Sequence, residues 1–187
     1  YQLVDKADWG LDIIYRSYLY GYDPDVIIEY KEQEDSILEG LTDRIDGTGL
    51  GLRYSKYFDH GVFSLDVASF VELSPEEDWV IEAFYSHLMP YKNWDFHLGA
   101  GLAYYSQEIV DYYIGIDPHE VTNRRPFYKA KEAVKGEVEL LARTPLTENW
   151  VLMLGASHSV FSSHIQDSPL VQRSDVSVFT LGVLYAF

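Results

Sequence analysis

The chain has 187 residues, with 30 Asp and Glu against 14 Lys and Arg, so its formal net charge is −16 at pH 7; a field of that sign repels nucleic acid. It contains no cysteine, which excludes disulfide frameworks, thiolate metal sites and thiol nucleophiles. An apolar share of 47% argues for one folded domain over residues 1–187, and with no uncharged apolar run of about 18 residues, only strands could carry the chain across a bilayer.

A period of two dominates the pattern. Tyr1-Gln2-Leu3-Val4 reads as the tail of a strand, and Asp5-Lys6-Ala7-Asp8 as a turn. From Trp9 to Leu19, Leu11, Ile13 and Tyr15 oppose Asp12, Ile14 and Arg16. From Gly47 to Phe58, Leu50, Leu52 and Tyr54 oppose Gly49, Gly51, Arg53 and Ser55. From Phe63 to Val71, Phe63, Leu65 and Val67 face away from Ser64, Asp66 and Ala68. Trp79 to Met89, which carries Glu82, alternates less cleanly. In Trp94 to Tyr104, Trp94, Phe96, Leu98, Ala100, Leu102 and Tyr104 share one face, and Asp95, His97, Gly99, Gly101 and Ala103 the other. From Lys131 to Arg143 the contrast is sharpest, Val134, Val138 and Leu140 against Lys135, Glu137, Glu139 and Arg143. Trp150 to Val160 and Asp175 to Phe187 complete eight long strands, each of bilayer-spanning length.

The links alternate in length. Short ones lie at 59–61, 90–93 and 145–149; long polar ones cover 21–46, 107–129 and 163–172, with a shorter one at 73–77. Short turns at one end and long loops at the other describe an all-β, antiparallel, up-and-down transmembrane barrel. Trp9, Trp94 and Trp150 each follow a short turn, which places them at one membrane interface as an aromatic girdle. A soluble barrel of the lipocalin kind carries the same alternation with its sign inverted. Gly, Ala and Ser beside the charges on the polar face, the strand lengths and the aromatic terminus favour lipid outside.

In the final strand Thr180 and Gly182 stand at fixed offsets before Tyr185 and Phe187. That arrangement resembles the carboxy-terminal signal read by the bacterial barrel-assembly machinery; the last strand must pair, because an open edge in hydrocarbon leaves backbone groups unsatisfied. The first strand stub runs toward the short-turn side, so an even barrel needs further strands upstream, and the expectation is a barrel lacking its N-terminal strands.

Several stretches in order resemble the MltA-interacting protein/OmpV family of Gram-negative outer-membrane proteins: "GYDPD" at 21–25, "LEGLTDR" at 38–44, "DYYIGI" at 111–116, "RRPFY" at 124–128, "LTENW" at 146–150 and "DSPLV" at 167–171. The resemblance implies an outer-membrane barrel and, as partners, a lytic transglycosylase and a peptidoglycan synthase for which it acts as scaffold. It carries over no catalytic residue, and no cofactor is expected.

Chemistry elsewhere in the sequence is sparse. His97 near Asp95, and His158 with His164 and Asp167, lack the three or four convergent ligands of a zinc site. Ser157 and Ser159 flank His158, but adjacent strand residues point to opposite faces, so they form no nucleophile–base pair with it. Asp12, Arg16, Arg53, Asp66, Glu82, Lys135, Glu137, Glu139 and Arg143 face inward and either plug a narrow barrel or line a narrow pore. Acidic loops at 29–36 and 74–78 lie where lipopolysaccharide phosphates would stand, with divalent cations to bridge them. A non-enzymatic scaffold is the expected role, a small-solute channel the alternative, and a barrel-embedded hydrolase a third.

Overall fold

A computed structural model describes residues 1–18, 21–22, 24, 37–70 and 78–185. Nine strands follow one another: β1 (Gln2–Asp5), β2 (Trp9–Tyr18), β3 (Gly47–Phe58), β4 (Gly61–Phe70), β5 (Trp79–Tyr91), β6 (Trp94–Tyr105), β7 (Ala133–Pro145), β8 (Trp150–Phe161) and β9 (Asp175–Tyr185). They form one sheet in chain order, every neighbouring pair antiparallel. All eight long strands expected from the alternation are present, with ends displaced by at most two residues where they are described. Ala186 and Phe187 lie outside the described residues. The sheet is a wall whose edges are β1 and β9; among the described residues these two edges do not pair.

The register settles the sign of the alternation. Leu98 pairs with Leu140 and Leu154 with Leu181 on one face, while Arg53, Asp66 and Glu82 follow one another on the other. Leu98, Leu140 and Leu181 are 51%, 44% and 76% exposed, whereas Asp66 is 3% exposed. The apolar face therefore looks outward and the charges inward, the reverse of a water-soluble barrel. A strand such as β6, with 12 residues at a rise of about 3.3 Å and a tilt of about 40°, crosses roughly 30 Å, the height of a bilayer's hydrocarbon core.

Close packing on the inner face relies on missing side chains. A Cβ on Gly99 would lie 2.4 Å from Phe84, and one on Gly101 2.7 Å from the same ring; glycine at both places lets the Phe84 ring lie flat on β6.

The buried apolar core does not run along the wall. It sits at the long-loop end, where Tyr18, Phe70, Val80, Ala103, Tyr105 and Ala133 of the strands meet Ile109, Val110 and Tyr113 of a helix, α1 (Gln107–Ile114). This differs from the expectation of a polar loop over 107–129. Ile109, Val110, Tyr113 and Ile114 are spaced one turn apart, so a helical stripe is present in the sequence, but it spans only two turns between polar residues. Among the described residues the loops also hold a 3₁₀ turn (Pro118–Glu120) and a short helix, α2 (Ser163–Gln166).

Candidate functional site

The inner face at mid-height is an ionic network built from four strands. Register sets Asp12 beside Arg53, Arg53 beside Asp66, and Asp66 beside Glu82, a row in which guanidinium and carboxylates are neighbours. The Arg53 guanidinium donates to both oxygens of Asp66, Nε to Oδ1 at 2.7 Å and Nη2 to Oδ2 at 2.6 Å. Arg16 reaches across from β2, donating to Asp66 at 2.7 Å and to Glu82. Asp66 thus carries two guanidiniums on one nearly buried carboxylate, which offsets its desolvation. On the far side of β6, Lys135 pairs with Glu137 at 3.0 Å, and Ser159 donates to the same carboxylate at 2.9 Å. Between the two groups lies a cavity of about 330 Å³ lined by Arg16, Arg53, Ser64, Asp66, Glu82, Phe84, Lys135 and Glu137 among others.

All nine charges expected on the inner face fall there by register: Asp12, Arg16, Arg53, Asp66, Glu82, Lys135, Glu137, Glu139 and Arg143. Asp95 joins them, opposite Arg143. Arg143 Nη2 lies 2.8 Å from His97 Nε2. Of the remaining histidines, His60 and His87 lie with ring centroids 6.4 Å apart. His158 faces outward on β8, its Nδ1 2.9 Å from Ser177 Oγ, and His164 Nδ1 lies 2.8 Å from the Glu132 carbonyl oxygen. Ser157 and Ser159 point inward, away from His158. Among the described residues no group of three or more His, Asp or Glu side chains is placed to hold a metal ion.

Above the charged level, packing and hydrogen bonds tie three loops to α1. Tyr113 donates to the Ile45 carbonyl at 3.1 Å, Tyr22 to the Tyr113 carbonyl at 3.1 Å, the Ala130 amide to Asp111 at 2.7 Å and Ser168 to the Ile114 carbonyl at 2.6 Å. A buried latch stands beside them. Glu120 accepts from Arg44 at 3.0 Å on both oxygens, and from the backbone amides of Thr42 and Asp117 at 3.0 Å each. Burial pushes the Glu120 carboxyl up, but these amides and Arg44 outweigh it and hold the pKa down at about 2. Arg125, fully buried, donates to the Glu120 and Ile37 carbonyls. Arg44 and Glu120 are 76 residues apart, so no local pattern in the sequence points to the latch.

The tryptophans mark two levels. Trp9, Trp94 and Trp150 begin β2, β6 and β8 at the short-turn end, and each meets an aromatic neighbour: Tyr54 at 6.1 Å, Phe96 at 5.9 Å and Tyr185 at 4.9 Å. Trp79 begins β5, which runs the other way, and packs on Tyr104 at 5.3 Å near the loop end. In β9, Tyr185 faces outward with Phe179, Leu181 and Val183, while Thr180 and Gly182 face inward; Phe187 lies outside the described residues. β9 also turns the apolar Val176, Val178 and Leu184 inward.

An antiparallel wall with an apolar exterior, a charged interior and aromatics at both levels is that of a transmembrane β-barrel of an outer membrane. The chain belongs to the MipA family, matching "MltA-interacting protein MipA" over residues 1–187. It is similar to "Putative outer membrane protein YiaT" of Escherichia coli (strain K12), with 30% identity over 83% of this chain and 63% of the relative. It is also similar to the "24 kDa outer membrane protein" of Pasteurella multocida (strain Pm70), with 33% identity over 46% of this chain and 35% of the relative. "Outer membrane protein Omp26La" of Vibrio anguillarum is 21% identical over 86% of this chain and 62% of its own length. The chain thus spans under two thirds of the length of these relatives. These relatives place the protein in the outer membrane of a Gram-negative bacterium, so the short turns are periplasmic and the long loops extracellular.

Proposed function

We propose that the protein is a non-enzymatic outer-membrane barrel that serves as a docking scaffold for envelope enzymes at its periplasmic turns. Most inner-face charges bond within the protein, and α1 packs against the strands at the extracellular end; the observation that carries this reading is the aromatic and apolar surface left exposed at the periplasmic rim. Tyr91, Leu146 and Trp150 are exposed there. Lys92, at φ 55°, holds its ammonium 5.2 Å over the Tyr91 ring, a left-handed conformation that a non-glycine residue adopts at a cost. The family description, which names MltA as the interacting protein, supports a peptidoglycan enzyme as the docked class, a lytic transglycosylase first and a synthase beside it.

The test is capture from envelope extracts with the full-length protein. Tyr91→Ala with Lys92→Ala, and Leu146→Ser, are expected to weaken capture of the transglycosylase at least about tenfold, as loss of central aromatic contacts does in other interfaces. Undiminished capture by both variants would remove docking at the turns. The outer face meets lipid and lipopolysaccharide.

A further inference from the structure

The interior is built on two levels of opposite chemistry. The extracellular level holds an apolar seat, with α1 set among Phe70, Val80 and Tyr105. The level beneath it is the ionic cavity of about 330 Å³. A barrel that needed only rigidity would be better served by apolar or small side chains there, since taking ions out of water is costly. We propose that the charged level is a cation-conducting path that α1 holds shut, so that the barrel conducts when this helix leaves its seat.

Two features support the path and its selectivity. Among the described residues of the strands, six carboxylates on the inner face (Asp12, Asp66, Glu82, Asp95, Glu137, Glu139) stand against four cations. Asp12 and Glu139 hold no ion pair among the described residues, and two of the three arginines, Arg16 and Arg53, are engaged with Asp66. A water-filled space so lined draws cations and repels anions. Two features make α1 the moving part. It is 8 residues long, too short to persist without its contacts. It is held by apolar packing and by hydrogen bonds to loops, chiefly Tyr113 to Ile45 and Asp111 to Ala130, with no ion pair between α1 and the strands among the described residues.

The experiment uses full-length protein folded in detergent and inserted in planar bilayers under a potassium chloride gradient. Wild type is expected to show rare, brief current steps. Ile109→Ala and Tyr113→Phe, which loosen the seat and a loop bond, should raise the open time at least about tenfold, with a reversal potential that favours potassium. Adding Asp12→Asn and Glu139→Gln to Ile109→Ala should keep the steps and reduce that preference. Glu120→Gln, which loosens the loops around α1 without touching the helix, is held to the same outcomes where Ile109→Ala does not fold. Heat-modifiable, hence folded, variants that give no steps overturn the proposal, as do steps that favour chloride.

Discussion

Asp66 shows how much of the wall's stability one carboxylate can hold. Its side chain is 4% exposed and accepts from both Arg16 and Arg53, so Asp66→Asn keeps the shape while leaving Arg16 with Glu82 alone and Arg53 with only its register neighbour Asp12. Breaking a buried pair in this way costs about 3–5 kcal/mol, and a lower urea midpoint of the detergent-folded barrel should report it; an unchanged midpoint would mean that water already neutralises the site. Glu120 makes a pH-dependent case in the loops. Its folded pKa of about 2 lies below the ordinary value of 4.5, so its contribution, on the order of 3 kcal/mol, is complete above pH 4.5 and is lost as pH falls toward 2. Acid unfolding of the extracellular loops between those values, followed by tyrosine fluorescence, should flatten in Glu120→Gln.

At the scale of the element, the strands were readable because period two survives wherever one face meets lipid and the other does not: Val134, Val138 and Leu140 against Lys135, Glu137 and Glu139 is such a case. What lies between strands was not. Nothing local says that Arg16 meets Glu82, 66 residues on, because register is set by turn lengths and by every pair in the ladder together. The helix α1 was hidden for a different reason: two turns of apolar spacing among polar neighbours are too short a stretch to separate from a loop, and the seat that stabilises them is assembled from five other elements. The glycines of β6 carry a prediction at this scale. Gly99→Ala should push Phe84 off the strand and slow folding into detergent on a heat-modifiability gel, and Phe84→Leu in the same chain should restore part of the loss, because the three atoms nearest the added Cβ all belong to that ring.

For the molecule as a whole, the decisive fact is the direction of the apolar face. Sequence alternation alone left two barrels open, one greasy inside and one greasy outside, since a period has no sign. The register and burial choose the second, and membership in a family of outer-membrane proteins agrees with it. The consequence can be measured at the middle of the band. Leu98 and Leu140 are cross-strand neighbours that look outward, well inside the levels marked by Trp94 and by Trp79 with Tyr104. Leu98→Arg would place a cation among lipid tails, at a cost of about 2–4 kcal/mol near the midplane and much less near either interface. Phe96→Arg, one step toward the Trp94 level on the same face, should therefore cost less than Leu98→Arg, and Glu139→Gln, on the inner face of β7 opposite Gly99, should follow no such depth rule. Equilibrium folding into phospholipid vesicles across a urea series would give the three values. Equal costs at Leu98 and Phe96 would mean that the outer face meets water or protein at uniform depth, and the outward orientation would fall with the ordering.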